Sequence, residues 1–161
     1  MPSDQVIGID LGGTAIKLAR FTAAGELLAE MEVPTPQPAV PGAVTIALCE
    51  AIEQLDPRGS ADRVGVGPPG PMDAAARVAR VCINLPGWEE VPLAEWLEVR
   101  LQRRVTLAND GNCAVVGEAW RGAAQGFSDV VLLTLGTGVG GGVLLGGHLF
   151  TGHNGAAAEH G

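Results

Sequence analysis

The stretch Asp10-Leu11-Gly12-Gly13-Thr14 lies between two apolar runs, Val6–Ile9 and Ile16–Phe21. This order predicts two strands joined by a tight turn. Glycine has no Cβ and readily adopts positive φ, so the turn can be sharp and can bring backbone N–H groups close to a ligand. Two interpretations remain open: a plain Gly-Gly hairpin, or a turn whose amides and Thr14 hydroxyl bind phosphate oxygens.

A second stretch with the same pattern favours the phosphate interpretation. The apolar run Val130–Leu135 is followed by Gly136-Thr137-Gly138-Val139-Gly140-Gly141-Gly142 and then by Val143–Leu145. A phosphate chain held from both sides requires two such turns facing each other. We predict that Asp10, at the end of its strand, holds Mg²⁺ directly or through water. Lys17, the single lysine of the chain, is either a neutraliser of phosphate charge or a solvated strand residue.

The composition is that of an acidic globular chain. Its 161 residues are 47% hydrophobic and 17% charged, enough for one domain with a real core. The net charge of −8 argues against nucleic acid or an anionic membrane surface as the main partner. No apolar run approaches the ~20 residues of a membrane span. The N-terminus shows no signal peptide, and Cys49, Cys82 and Cys113 are spaced as isolated buried thiols, so we expect a reducing cytoplasm.

Strands and helices alternate along the rest of the chain. Residues 6–33 are predicted to form a three-stranded meander, and Pro34–Pro38 an exposed connection. A helix should run from about Pro41 to Leu55, because apolar residues recur there at helical spacing. The further predicted elements are strands at Val64–Gly67, Ala79–Ile83 and Val105–Ala108, a helix with Pro92 in its first turn, and a helix from Asn109 to about Arg121.

Asp110 is the main candidate for chemistry. It follows the predicted strand Val105–Ala108, and open α/β sheets bind ligands beyond the carboxyl ends of their strands. Aspartate is also a preferred helix N-cap residue. The two roles are compatible, because a capping carboxylate is also a well-positioned one.

Six ordered blocks of the sequence together resemble the ROK family of bacterial sugar kinases and repressors, and within it the glucokinases. The blocks are Asp10–Thr14, Gly67–Asp73, Asn84–Trp88, Asn109–Asn112 with Gly117-Glu118, Leu135–Gly142, and Gly152–Gly161. The resemblance implies an α/β protein with the ribonuclease H-like, actin-like ATPase (hexokinase-type) fold, whose two lobes close over ATP and sugar. It also implies that residues 1–122 form the N-terminal lobe and residues 123–161 begin the C-terminal lobe of a longer kinase.

The resemblance further implies roles for individual residues. Asp110 matches the catalytic base, and the residues near the sugar are Gly70, Asn84, Asn109, Asp110 and Glu159. The residues that match nucleotide and metal positions are Asp10, which also holds Mg²⁺, and Gly12, Gly13, Thr14, Lys17, Gly136, Thr137, Gly138 and Gly140. One departure is Ala158, where the family usually has glycine before the glutamate.

The implied reaction is ATP-dependent phosphorylation of a hexose. Glucose is the first expectation, with mannose, fructose, allose and N-acetylmannosamine as alternatives, and polyphosphate is an alternative donor. The family's zinc-binding cysteine stretch would lie beyond Gly161, so structural zinc is expected only there. Members of the family are often dimers, so the resemblance allows a homodimer of the full-length protein, although the sequence does not define the oligomeric state. These 161 residues alone are expected to be inactive. A sugar-responsive repressor and a non-catalytic sugar-binding half-domain stay open as other functions.

Overall fold

The computed structural model describes residues 4–82, 84–135 and 139–152. Strands and helices alternate along these ranges. In chain order they are β1 (Gln5–Leu11), β2 (Ala15–Thr22), β3 (Leu27–Pro34), α1 (Pro41–Leu55), β4 (Arg63–Gly67), β5 (Ala79–Val81), β6 (Glu89–Val91), α2 (Leu93–Leu101), β7 (Arg104–Leu107), α3 (Asp110–Arg121), β8 (Val130–Leu135), β9 (Val139–Leu145) and β10 (His148–Leu149). None of the helices in these ranges has the length and hydrophobicity that crossing a bilayer would require.

The main sheet has five strands in the order β3-β2-β1-β4-β7. The first three strands form an antiparallel meander, as predicted, whereas β4 is parallel to β1 and β7 is parallel to β4. In this register Asp10 lies opposite Gly67, and Val66 lies opposite Leu107. The carboxyl ends of β1, β4 and β7 therefore meet at one edge of the sheet, where open α/β sheets bind their ligands.

One face of this sheet packs against α1 and α2 to form the core. Alternate residues of each strand point to opposite faces, so Ile7, Ile9 and Leu11 of β1 are buried while Gly8 and Asp10 belong to the other face. The buried side chains that the helices and the other strands contribute include Ile16, Leu18, Val44, Leu48, Ile52, Val64, Val66, Leu93, Leu97, Val105 and Leu107. Burying each large aliphatic side chain contributes about 1.5–3 kcal/mol, which makes this layer the main source of stability.

The strands β8, β9 and β10 form a separate antiparallel sheet, and α3 packs against its first two strands. The contact is close: a Cβ added at Gly111 of α3 would lie 2.2 Å from the carbonyl oxygen of Gly141 in β9. On the outer face of β8, the side chains of Val131, Leu133 and Leu135 are exposed. The division of the chain into a lobe over residues 1–122 and the start of another over 123–161 stays a prediction.

A buried carboxylate ties α1 to the sheet. Asp56 is the C-cap of α1 and is fully buried, and it forms ion pairs with Arg20 of β2 and with Arg103, at 2.9 Å each. It also accepts hydrogen bonds from the backbone N–H groups of Ser60 and Ala61. Burial alone raises the pKa of Asp56, but these amides and the two guanidinium groups lower it by more, so the net shift is downward.

Most predicted elements are confirmed, and the differences have local causes. The helix Pro41–Leu55 has the predicted bounds, because its apolar face covers the sheet. The helix α2 begins one residue after Pro92, which is its N-cap, and the strand predicted over Ala79–Ile83 ends at Val81. Ile83 itself lies outside the described residues. The sequence also predicted three buried thiols, but Cys113 is exposed because it faces an open cleft.

Candidate active site

A cleft of ≈ 1060 Å³ lies beside the carboxyl ends of β1, β4 and β7. Residues of the main sheet, of α3 and of β8 line it, and the polar ones include Asp10, Lys17, Glu30, Glu32, Thr106, Asp110 and Thr134. Its floor is the sheet face opposite the helical layer. The cleft is therefore bounded on one side by the main sheet and on the other by α3 and the second sheet.

Glycines give the cleft its depth. Gly8, Gly65 and Gly67 lie on its floor, where alternation along β1 and β4 would otherwise place side chains. A Cβ at Gly8 or Gly65 would meet no atom nearer than 3.9 Å, so neither glycine is required by packing. At Gly67 a Cβ would lie 3.3 Å from Cys113 Sγ, so here the close approach of α3 favours glycine.

Of the carboxylates that line this cleft, two lie at the carboxyl ends of parallel strands. Asp10 ends the cleft-facing side of β1, and Asp110 is the first residue of α3, directly beyond β7. Asp110 donates its backbone N–H to the Pro68 carbonyl oxygen at 3.3 Å, and its Oδ1 accepts the N–H of Gly111 at 2.9 Å. Burial raises the pKa of Asp10, the positive charge of Lys17 opposes that shift, and the negative charge of Asp110 adds to it. The two carboxyl groups are therefore close enough to interact electrostatically.

The donor set of the cleft suits Mg²⁺ bound together with a phosphate group. Mg²⁺ is usually held by one or two carboxylates, with waters and phosphate oxygens completing its octahedron. Asp10 supplies one such carboxylate at the end of β1. In the described ranges no cluster of three or more His, Cys, Asp or Glu residues could hold a metal by itself. A cation here would therefore depend on the substrate's own oxygens.

The first turn is tight, but it does not use positive φ. Neither Gly12 nor Gly13 has positive φ, so the turn does not use the positive φ that glycine allows. Gly12 donates its N–H to the Ala15 carbonyl oxygen at 3.0 Å, and a Cβ on Gly12 would lie only 2.8 Å from that oxygen. A Cβ on Gly13 would meet nothing nearer than Leu85 Cδ2 at 4.0 Å. The protein itself therefore requires glycine at position 12 and leaves open space at position 13.

The segment after β3 braces this turn. The Thr35 hydroxyl donates to the Gly12 carbonyl oxygen at 2.7 Å, and the Thr35 N–H donates to the Thr14 carbonyl oxygen at 2.9 Å. Gln37 Nε2 donates to the Gly13 carbonyl oxygen at 3.0 Å. Thr35 is only 4% exposed. The prediction that Pro34–Pro38 is merely an exposed connection is therefore wrong for Thr35, because this segment packs onto the turn.

Asn109, rather than Asp110, is the N-cap of α3. Its Oδ1 accepts the N–H of Asn112 at 3.1 Å, and its Nδ2 donates to the Gly70 carbonyl oxygen at 3.1 Å. The capping alternative for Asp110 was wrong because the chain still has extended ψ (143°) at Asn109 and is helical from Asp110 onward. Asn109 is 7% exposed, so its side chain joins the loop after β4 to α3. Its role toward a sugar stays a prediction.

The loop after β4 contains a glycine that the fold requires. Gly70 has φ +98°, and a Cβ there would lie 2.0 Å from the Val81 carbonyl oxygen. Asn84 begins an exposed turn whose next residue, Leu85, is buried beside Gly13. The structure thus brings the loop of Asn84 against the first turn.

The structure describes only some of the remaining predicted site residues. Gly136, Thr137, Gly138 and Glu159 lie outside the described residues. Gly140 is in β9, where a Cβ would approach Thr134 Oγ1 to 2.9 Å. Lys17 lies in register with Asp10 on one side and Glu32 on the other, so its ammonium group stands among carboxylates that line the cleft.

Two thiols lie near the cleft carboxylates, and sequence reasoning did not place them there. Although Cys113 is exposed to the cleft, desolvation by the surrounding protein raises the pKa of its thiol to about 11, and the charges of Asp110 and Asp10 add to the shift. Burial likewise raises the pKa of Cys82 to about 12, with a further contribution from Asp110. Both groups therefore remain thiols at neutral pH and are poor nucleophiles.

The braces of the first turn, Thr35 and Gln37, were also missed. A signal for Thr35 exists in the register of the meander, which pairs Ala15 with Pro34 and so brings Thr35 beside Thr14. That register depends on where the β2–β3 turn closes and on a register shift at Arg20/Phe21. Hydrophobic alternation alone does not fix either of them.

Comparison with known proteins gives a consistent result. The sequence model described as "ROK family" matches residues 6–161. The chain is 38% identical over 161 residues to the glucokinase of Thermotoga maritima, covering 100% of this chain and 51% of that protein. It is 39% identical over 155 residues to the N-acetyl-D-glucosamine kinase of Salmonella newport, covering 96% and 50%. The chain thus spans about half the length of the curated relatives it matches.

The fold comparison agrees. A crystal structure of a ROK family glucokinase from Streptomyces griseus in complex with glucose and AMPPNP superposes with a TM-score of 0.90 at 35% identity. The superposition covers 98% of this chain and 49% of that one. The actin-like ATPase fold predicted for the chain is confirmed.

Proposed function

Because the chain belongs to the ROK family, we propose that the whole protein transfers a phosphoryl group from ATP to a hexose, with glucose as the first substrate to test. The observation that carries the proposal is that Asp110, Asp10 and Lys17 face one cleft at the carboxyl edge of the sheet. Similarity to proteins named glucokinase supports glucose. The N-acetyl-D-glucosamine kinase among the relatives keeps other hexoses in the test.

In the proposed mechanism Asp110 is the general base. A sugar hydroxyl is a weak nucleophile at neutral pH, and a carboxylate within hydrogen-bond reach takes its proton as the new O–P bond forms. The bond between the transferred phosphorus and the bridging oxygen then breaks, and ADP leaves. The backbone N–H of Gly111 on Asp110 Oδ1 fixes the orientation of the carboxylate.

Phosphoryl transfer otherwise depends on positioning and on neutralising charge. We assign the first turn, Gly12, Gly13 and Thr14, to the phosphate chain, with the ammonium group of Lys17 contributing positive charge. Asp10 would hold Mg²⁺, which supplies further neutralisation of the phosphate oxygens. The second turn, Gly136, Thr137 and Gly138 with Gly140, is assigned to the same phosphates. Gly70, Asn84, Asn109 and Glu159 are assigned to the sugar.

The first test separates a working kinase from a sugar-binding half-domain. We expect no turnover of glucose with ATP from the 161 residues alone and clear turnover from the whole protein. A coupled assay of ADP release checks both, with mannose, fructose, allose, N-acetylmannosamine and N-acetylglucosamine as further acceptors. Detection of the sugar phosphate tests polyphosphate as a second donor. Turnover by the 161 residues would contradict the expectation, and a whole protein inactive on every pair would contradict the proposed function.

A second prediction uses the unequal space at the two turn glycines. In the whole protein, Gly13→Ala should weaken binding of a non-hydrolysable ATP analogue about tenfold, or ~1.4 kcal/mol, because the added methyl enters space that only a ligand would fill. Its thermal unfolding midpoint should stay at the wild-type value. Titration calorimetry and thermal unfolding measure the two effects.

The matched control for this variant is Gly42→Ala, since a Cβ at exposed Gly42 meets no atom within 4 Å. It should leave the nucleotide affinity unchanged, while the thermal unfolding midpoint should stay the same or rise, because alanine is favoured over glycine in a helix. Wild-type nucleotide affinity in Gly13→Ala would remove the first turn from the phosphate site.

A further inference from the structure

Three consecutive carbonyl groups of the first turn are held by two residues. The carbonyl oxygens of Gly12 and Thr14 accept hydrogen bonds from Thr35, and that of Gly13 accepts one from Gln37. The three distances lie between 2.7 and 3.0 Å, which is normal hydrogen-bond geometry. We call Thr35 and Gln37 the brace.

Fixing a carbonyl also fixes the amide on the other side of the same peptide bond. A trans peptide is planar, and its C=O and N–H point in opposite directions. When Thr35 holds the Gly12 carbonyl, the N–H of Gly13 must point away from the brace. When Gln37 holds the Gly13 carbonyl, the N–H of Thr14 must do the same. The brace thus orients two successive amides, as in a backbone nest for anions.

Within the turn itself, the structure shows one backbone hydrogen bond, from the Gly12 N–H to the Ala15 carbonyl oxygen, so the brace supplies most of the hydrogen bonds that hold the turn. Glycine restricts the backbone less than any other residue, so a Gly-Gly pair can rotate its peptide planes at low cost. Rotation of the Gly12 carbonyl here would leave the Thr35 hydroxyl, on a residue only 4% exposed, without its acceptor. A buried polar group that loses its partner is costly, so the buried hydroxyl opposes rotation.

The brace is itself anchored at its other end. The indole N–H of Trp88 donates to the Ala39 carbonyl oxygen at 2.8 Å, and Trp88 is 2% exposed. Ala39 is buried as well, two residues beyond Gln37. The segment from Thr35 to Ala39 is therefore fastened at the turn and at the core, so the brace cannot simply follow a moving turn.

We propose that Thr35 and Gln37 are positioning residues of the phosphate site, which hold the Gly12-Gly13-Thr14 peptides so that their amides face the nucleotide phosphates. The inference rests on the proposed function. It places the effect of the brace in nucleotide binding and not in sugar binding, because the hydrogen bonds of the brace described here go to the turn that we assign to the phosphates. Thr35 should contribute more than Gln37, because Gln37 is exposed and its hydrogen bond competes with water.

The test compares variants of the whole protein that differ only in the donor. Thr35→Val keeps the shape of the side chain and removes the hydroxyl, whereas Thr35→Ser keeps the hydroxyl. We expect Thr35→Val to raise the KM for ATP and the Kd of a non-hydrolysable ATP analogue about tenfold, with the Kd of the sugar within twofold of wild type. In Thr35→Ser the KM for ATP, the Kd of the analogue and the Kd of the sugar should all stay within twofold of wild type. Gln37→Met should raise the KM for ATP and the Kd of the analogue about threefold.

A purely structural role predicts a different pattern. Wild-type nucleotide affinity in Thr35→Val, equal losses in Thr35→Val and Thr35→Ser, or a parallel loss of sugar affinity would each overturn the proposal. If Thr35→Val does not fold, the nucleotide affinity of Gln37→Met tests the proposal instead. Gln37 is exposed and outside the core, so replacing it should not prevent folding.

Failure of the proposed function is recognised separately. A wild-type protein that binds no nucleotide overturns the proposed function and the phosphate role of the brace with it. Amide hydrogen exchange at Gly13 and Thr14 then tests the remaining claim, that the brace orders the turn. Unchanged exchange in Thr35→Val would overturn that claim too.

Discussion

Replacing Asp110 by asparagine is expected to lower the kcat of the whole protein by about 10²–10⁴-fold, the usual range for loss of a general base. Asparagine keeps the size of the side chain and an oxygen that can still accept the Gly111 N–H. It cannot take a proton from the sugar hydroxyl. The dissociation constant of the sugar should therefore stay within a few-fold of wild type, while single-turnover kinetics show the loss in the chemical step.

Asp129→Asn is the matched control for this variant. Asp129 is exposed, its Oδ1 accepts the N–H of Gly146 at 2.7 Å, and it is not among the residues that line the cleft. The same chemical change there should leave kcat unaltered. A kcat for Asp110→Asn within a few-fold of wild type would remove Asp110 from the mechanism. Reduced sugar affinity at an unchanged kcat would make it a binding residue only.

The second large effect concerns stability rather than chemistry. Asp56→Ala should destabilise the protein by about 3–5 kcal/mol, because it leaves the guanidinium groups of Arg20 and Arg103 without their buried partner. The N–H groups of Ser60 and Ala61 lose their acceptor at the same time. Urea unfolding at neutral pH measures the change. A loss below 1 kcal/mol would show that water replaces the carboxylate.

The effect of Asp56 should also depend on pH in a defined direction. The folded state lowers the pKa of this carboxyl, so the stability that its charge contributes is present above the unfolded pKa of about 3.9 and is lost as the pH falls through the lower folded value. The difference in unfolding free energy between wild type and Asp56→Asn should therefore be constant from pH 7 to about pH 5 and should shrink below pH 4. A difference that does not change down to pH 2 would contradict this account.

The parts of the fold that follow from local patterns could be predicted from the sequence. The helix Pro41–Leu55 follows from apolar residues on one face and a Pro at its start, and the meander follows from short apolar runs separated by glycine turns. The position of Asp110 follows from chain order alone, since the residue after a parallel strand must lie at the ligand-binding edge.

The parts that depend on distant contacts could not be predicted. The ion pairs of Asp56 join residues 36 and 47 positions apart, and no local pattern marks a charge that folding will bury. Only position 12 must be glycine, and position 13 has open space beside it. This difference depends on where the Ala15 carbonyl oxygen lies, which the sequence does not show. The choice of Asn109 over Asp110 as N-cap depends on the Gly70 carbonyl that also engages Asn109. In each case the deciding atom belongs to another part of the chain.

Because glycines form the floor of the cleft, replacing one of them by alanine would make the cleft shallower by about one methyl group. Glycine within a strand costs roughly 0.5–1 kcal/mol relative to alanine, and at Gly8 and Gly65 no neighbouring atom would oppose a methyl group. Alanine at either position should thus strengthen the scaffold while raising the floor by one carbon. Alanine at Gly65 would then reduce the room left for a bound molecule without altering any charged group, so the gain in stability would come with a loss of ligand capacity.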